Sequence, residues 1–356
     1  MALRELVLYT YAAFNLAEND PEFKTLFDDM MKDKLEATYC VALQAMVLEE
    51  LDRVKYQKRI QQCAIFLADN QSFQGSWGYG SPSIYVEDAD IQQPKKGAAP
   101  GPAPGGIGPR DQPGLRVKPP VKNKVKIQKN RDGEGSDNSN TFYAALGLRA
   151  CHDAGIVLPP NVVELSMKWL RDSQKKERIG AETLIESAAG PNLKTASPEG
   201  WCYADHADHK AYGSMTAAGV GSLAIWDYIK DSDGGKKQSW KRDTDIHEGL
   251  VWLAKNFSVS YNPGPFEQKF FEENSKQEYY YYLHALSAAG LMYGTEILGT
   301  HKWYAEGAKV LLESQGEDGR WGGTVADTCY AILFLMRATR WLSPPEIGEP
   351  AKKVGK

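Results

Sequence analysis

One unit recurs along this chain, and it constrains the fold more than any other feature. A short helix of small and apolar residues, apolar nearly all round, is followed by an amphipathic helix with one charged face. The first kind is seen in Thr38–Met46, Thr141–Leu148, Met215–Leu223, Tyr281–Leu286 and Thr328–Leu335, with Leu6–Leu16 as a degenerate first copy. The second kind follows at 21–32, 57–69, 161–173, 243–256 and 302–315, where Val162, Leu165, Trp169 and Leu170, or His247, Leu250, Trp252 and Leu253, recur at helical spacing. A helix apolar on every side must be buried on every side, whereas an amphipathic one covers a core and faces water. The pattern predicts six inner and five outer helices. The inner helices are centred near residues 10, 43, 146, 221, 286 and 333. Intervals so uneven disfavour a solenoid, whose repeats are nearly constant. They fit an all-α closed double ring, buried helices inside and amphipathic helices outside.

One stretch breaks the pattern. Residues 78–136 read as a disordered basic insertion. Between Pro94 and Arg131 ten Lys or Arg stand against the single acid Asp111, and Gly97–Gly106 cannot hold a helix because proline removes donors and glycine raises the entropy cost. Val117–Gln128 alternates Val with Lys and Asn and can pair as a ribbon. With a total formal charge of −4, the rest of the chain is strongly acidic. A solvated loop is the plain reading of the insertion; contact with an acidic partner is the functional one. The expected organisation is a single domain made of 1–77 and 137–342, with a flexible tail at 343–356. No apolar run approaches the roughly 20 residues that span a bilayer. The first twenty residues do not read as a signal peptide, and the first copy starts at Met1 with no outer helix before it, as in a late start or a trimmed form of a longer protein. Five widely spaced cysteines without a C-x-x-C pair fit reduced thiols in the cytoplasm.

Between helices, Gln71-x3-Gly75-x-Trp77 and Gln315-x3-Gly319-x-Trp321 share one spacing, and Gln174 followed much later by Gly200-Trp201 is a degenerate third copy. The glutamine ends an outer helix and can bond its open carbonyls or the next turn. The glycine supplies the left-handed residue that stops the helix. The tryptophan packs back over the helix end with its N–H free to find a partner.

This spacing resembles the QW repeat of squalene cyclases and of their relatives, the β subunits of protein prenyltransferases. The segments Tyr212–Gly219, Tyr280–Leu283 and Asp327–Ala331 are similar to bacterial prenyltransferase/squalene oxidase repeat proteins. The resemblance covers residues 5–77 and 137–342 and implies an (α/α)6-like toroid of the terpenoid cyclase superfamily. It does not fix chemistry.

Each relative's chemistry has a residue requirement. Class II cyclases protonate an alkene with an Asp-x-Asp-Asp acid, which is absent; Glu87–Asp90 lies in the insertion, and Asp243-Thr-Asp245 reads as a helix cap. Asp28-Asp29 and Asp33 have the wrong spacing for a magnesium motif and read as a solvated face. Protein prenyltransferases hold zinc with an Asp-x-Cys pair and a histidine from the next inner helix. Asp327-Thr-Cys329 matches the pair, with His284 on the preceding inner helix as the nearest histidine, and gives a zinc-dependent isoprenoid transferase as the enzymatic alternative. The plainer reading is a helix-capping aspartate and a small buried cysteine. Cys202, His206 and His209, with Asp205 and Asp208, form a second set able to hold a transition metal, or an ordinary polar loop.

In such a ring the inner-helix N-termini gather at one end. Asp137, Asn138, Trp201, Tyr203, Ser214, Glu278, Tyr279, Tyr280, Tyr281 and Asp327 are placed there. About two rings of the Tyr279–Tyr282 run should face inward. Free helix N–H groups favour an anionic ligand and the aromatics an apolar one. The expected partner is therefore an apolar, isoprenoid-like or anionic small molecule, or a peptide, bound at the mouth. The alternatives are the zinc enzyme and a scaffold acting through the basic insertion.

Overall fold

A computed structural model describes residues 3–14, 20–89, 123–125, 135–175, 196–204, 210–231, 237–264 and 278–342. The fold is all-α. The described residues hold helices α1 (Leu3–Ala13), α2 (Pro21–Lys32), α3 (Thr38–Asp52), α4 (Gln57–Asp69), α5 (Asn138–Asp153) and α6 (Pro160–Asp172). They continue with α7 (Gly213–Lys230), α8 (Thr244–Lys255), α9 (Tyr279–Tyr293), α10 (Trp303–Ser314) and α11 (Val325–Leu335). Odd-numbered helices are the inner set. Burial is unbroken from Asn138 to Cys151 in α5, from Gly213 to Tyr228 in α7 and from Tyr282 to Tyr293 in α9. Their contacts run in a cycle: α1 packs on α3, α3 on α5, α5 on α7, α7 on α9, α9 on α11, and α11 back on α1.

The even-numbered helices flank this inner set. On α2 only Phe23 and Met30 are buried, and on α10 only Trp303, Gly307 and Leu311, four residues apart. Asp28 and Asp29 lie on the exposed face of α2, ion-paired to Lys24 and Lys32. Asp243 caps α8 by accepting the N–H of Ile246 at 3.1 Å and also pairs with Arg171.

Helix α4 departs from the amphipathic expectation, because eleven of its thirteen residues are buried. The cause is the segment read as insertion. Residues 78–89 pack, with a 3-10 turn at Ile84–Asp88 against α4 and Val86 in the core. Farther on, β1 (Asn123–Lys124) pairs in parallel with β2 (Ile156–Val157), Asn123 Nδ2 donates to Gln57 at 2.9 Å, and Val125 joins the core. Disorder throughout 78–136 is thus corrected at both places: apolar and hydrogen-bonding side chains of the segment cover the outer face of α4. Residues 90–122 and 126–134, and the tail from 343, lie outside the described residues.

All three Gln/Trp copies form the same joint. The indole N–H of Trp77 donates to Leu67 O at 2.7 Å, that of Trp201 to Leu170 O at 2.7 Å, and that of Trp321 to Leu311 O at 2.8 Å, each closing a carbonyl in the last turn of an outer helix. The backbone N–H of each tryptophan donates to a threonine on the following inner helix: Thr141, Thr216 or Thr328. Gln71 Nε2 reaches Gly75 O and Val162 O of α6, and Gln174 Nε2 reaches Asp245 O of α8. Gln315 bonds only within its own turn, to Gly319 O at 2.8 Å, and is exposed. Gly75 has φ +103°, and a Cβ there would overlap the carbonyl of Leu165, so the turn admits no side chain.

Candidate functional site

At the N-terminal end of the inner helices, phenols meet across the ring. Tyr143 on α5 and Tyr330 on α11 stand on helices three places apart in the six-membered cycle, yet their hydroxyls are 3.0 Å apart. Tyr39 on α3 bonds Ser139 on α5, and the Ser139 hydroxyl is 3.0 Å from that of Tyr281 on α9. The rings of Tyr39 and Tyr143 lie 4.2 Å apart, and Tyr281 stands edge-on to Tyr330 at 5.7 Å. Four tyrosines and a serine therefore cross the space inside the cycle close to the helix starts. Tyr143 and Tyr330 are buried, whereas Tyr39 and Tyr281 keep part of their surface exposed. Burial raises all four phenols, so they remain neutral donors and acceptors at physiological pH.

His284 lies one turn beyond Tyr281 on α9. Its ring stacks on Tyr330 at 5.3 Å and is only 3% exposed. Burial alone, with no hydrogen bond or charge contributing, lowers it to about 4, so its imidazole is neutral. Around the phenols stand Tyr212 and two carboxylates. Glu278 is exposed, yet enough protein surrounds it to raise its carboxyl, the combination expected of a group on a concave wall. Asp137 is raised by burial too, with the bonds from Asn140 opposing the shift. Tyr212 is raised chiefly by burial and next by Glu278, with Asp137 and Tyr39 adding, which puts all four around one vestibule.

Several expected mouth residues do structural work instead. Asp137 caps α5, accepting Asn140 N and Nδ2 at 2.7 Å each. Asn138 ties the loop down through Tyr203 O at 2.8 Å and Cys202 O at 2.6 Å. Trp201 is fully buried in its joint, with its ring seated where a Cβ on Gly219 would stand. Ser214 is fully buried and paired with Asn262. Tyr203 reaches Tyr79 at 3.2 Å on the outer rim. In the tyrosine run, Tyr279 bonds Val259 O and Tyr282 bonds Ser258 O. Burial, and next Asp327, raises half-buried Tyr280 at the rim. Only Tyr281 joins the central phenols, one ring rather than two.

The Asp-x-Cys pair does not make a metal centre. The Asp327 carboxylate is held by Gly323 N at 3.1 Å and Thr324 N at 3.0 Å in a capping box, and Cys329 is buried and bonded to Thr10 of α1. Among the described residues no three His, Cys, Asp or Glu side chains come together as a metal-binding group. Cys202 is buried with its thiol on Ala204 O at 2.9 Å, and His206 and His209 lie outside the described residues.

Tyr39, Ser139, Tyr143, Tyr212 and Tyr330 were not singled out by sequence reasoning. The available signal was position: Tyr143, His284 and Tyr330 are each the sixth residue of their helix. No protein-family model matches the chain, and no curated protein is significantly similar to it. No helix among the described residues is long and apolar enough to cross a membrane.

Proposed function

We propose that the protein is an α/α-toroid of the prenyltransferase/squalene oxidase repeat type that binds a small molecule or a peptide segment in the vestibule above its central phenols. One observation carries this reading: Tyr39 and Tyr281 present partly exposed rings inside the cycle of helices while their hydroxyls are held through Ser139. Aromatic faces fixed by a hydrogen bond are preorganised, so a ligand meets apolar surface without the entropy cost of ordering it. The crossing of Tyr143 and Tyr330 leaves the space inside the helices filled at that level, which favours a ligand seated at the end of the ring over a long isoprenoid threaded through it. The carboxylates around the vestibule disfavour the anionic ligand that helix N-termini alone would suggest.

Binding of benzyl alcohol by the purified full chain, followed by ligand-detected NMR, tests the reading. Saturable binding that Tyr281→Ala weakens at least tenfold supports it. Formation of a cyclised product from a polyprenyl substrate would replace it with a catalytic one.

A further inference from the structure

The unspent hydrogen-bonding capacity at this end of the molecule is one-sided. His284 is 3% exposed, with no hydrogen bond or charge acting on it, and as a neutral imidazole it keeps a lone pair. Asn138 is 2% exposed; its amide N–H₂ is committed to Cys202 O, while Oδ1 has no partner. The Glu278 carboxylate forms neither a hydrogen bond nor an ion pair among the described residues, and burial is the one influence acting on it. All three are acceptors. No ion pair joins Asp137, Glu278 or Asp327 to a cation among the described residues, although these are the acids of the vestibule and its rim. Phenol faces from Tyr39, Tyr212 and Tyr281 stand between the two inner carboxylates, and Tyr39 senses Asp137 as Tyr281 senses Glu278.

Uncompensated carboxylates beside aromatic faces attract a cation twice, by charge and by the ring quadrupole. Free acceptors with no free cation beside them call for a donor-rich group. We infer that the vestibule takes a primary ammonium or a guanidinium group, seated against Tyr39, Tyr212 and Tyr281 and balanced by Glu278 and Asp137. A small amine and the basic side chain of a peptide share this chemistry. The inference rests on the vestibule being a binding site at all.

The test compares three benzyl-sized probes on the full chain by ligand-detected NMR or calorimetry: benzylammonium, benzyl alcohol and phenylacetate. Benzylammonium should bind at least tenfold more tightly than benzyl alcohol, and phenylacetate most weakly. Glu278→Gln should weaken benzylammonium about tenfold and leave benzyl alcohol within twofold. Tyr39→Leu, which removes a ring without touching a charge, should weaken both. Acetyl-Gly-Lys-Gly-amide set against n-butylammonium then separates the sources: tighter binding of the peptide indicates a basic segment, equal binding a free amine. Benzyl alcohol or phenylacetate binding as tightly as benzylammonium, or Glu278→Gln without effect, overturns the charge assignment and leaves the binding site standing. Failure of all three probes to bind overturns both.

Discussion

The two ends of the inner helices treat charge in opposite ways. At their C-terminal ends, buried acids meet arginines. Arg340 pairs with Glu49 at 3.1 Å and with Glu50, Arg53 lies 3.7 Å from Glu49, and Arg149 lies 3.5 Å from Asp153 while donating to Trp341 O at 3.1 Å. Helix C-termini favour cations, so the placement is doubly stabilising. At the N-terminal ends, Asp137 and Glu278 stand among phenols with no arginine or lysine pairing with them among the described residues. A protein optimised only for stability would have paired both ends. The difference indicates that the lower end fastens the ring and the upper end is kept for a ligand.

The largest expected effect lies at the lower end. Arg340→Ala leaves Glu49 and Glu50 buried without that partner and should cost about 2–4 kcal/mol in urea unfolding, less than for a fully buried pair because Arg340 is partly exposed. Benzylammonium affinity should not change. A loss below about 0.5 kcal/mol would break the contrast between the two ends. Next, Tyr330→Phe strands the Tyr143 hydroxyl and should cost about 1–2 kcal/mol by the same measurement. An unchanged midpoint would mean that the phenol pair contributes nothing.

Acidification should separate the ends further. The folded-state pKa of Glu278 and Asp137 is raised, so their part in stability is fully present below the unfolded value and is lost as pH rises through the folded one. Asp227, pushed up to about 6 by burial and next by Asp243, follows the same sign. Lowering the pH from 7 towards 5 should therefore strengthen these sites' contribution to folding while weakening benzylammonium binding, since the carboxylates lose charge. A titration in which affinity rises as pH falls would contradict the assignment. The smallest stability effect is expected for Glu278→Gln: its exposed side chain should leave the unfolding midpoint within about 0.5 kcal/mol of the parent. The same variant should flatten the pH dependence of binding. A steep dependence surviving in it would assign the proton to Asp137.

Part of the upper end was legible in the sequence and part was not. Asp137, Asn138, Glu278 and Tyr281 were placed correctly at the helix starts because helix boundaries follow from local pattern. Their roles were not legible. Ser214 is consumed by Asn262, 48 residues away, and Trp201 by a joint whose glutamine lies across a long excursion. Tyr39, Tyr143 and Tyr330 read as core positions on helices apolar all round, and only the meeting of nonadjacent helices turns them into a polar cluster.

What the sequence by itself determined is the alternation of buried and amphipathic helices and the turns joining them. Both depend on interactions within a few residues: apolar periodicity, left-handed glycines at 75 and 319, and a tryptophan ten residues after the carbonyl it closes. Tertiary structure alone decided that residues 78–89 and 123–125 cover α4, that Asp327 and Cys329 serve a cap and a helix contact rather than a metal, and that acids are paired at one end and unpaired at the other. Those outcomes depend on which side chains meet across more than a hundred residues of chain, and local pattern carries no information about such distances.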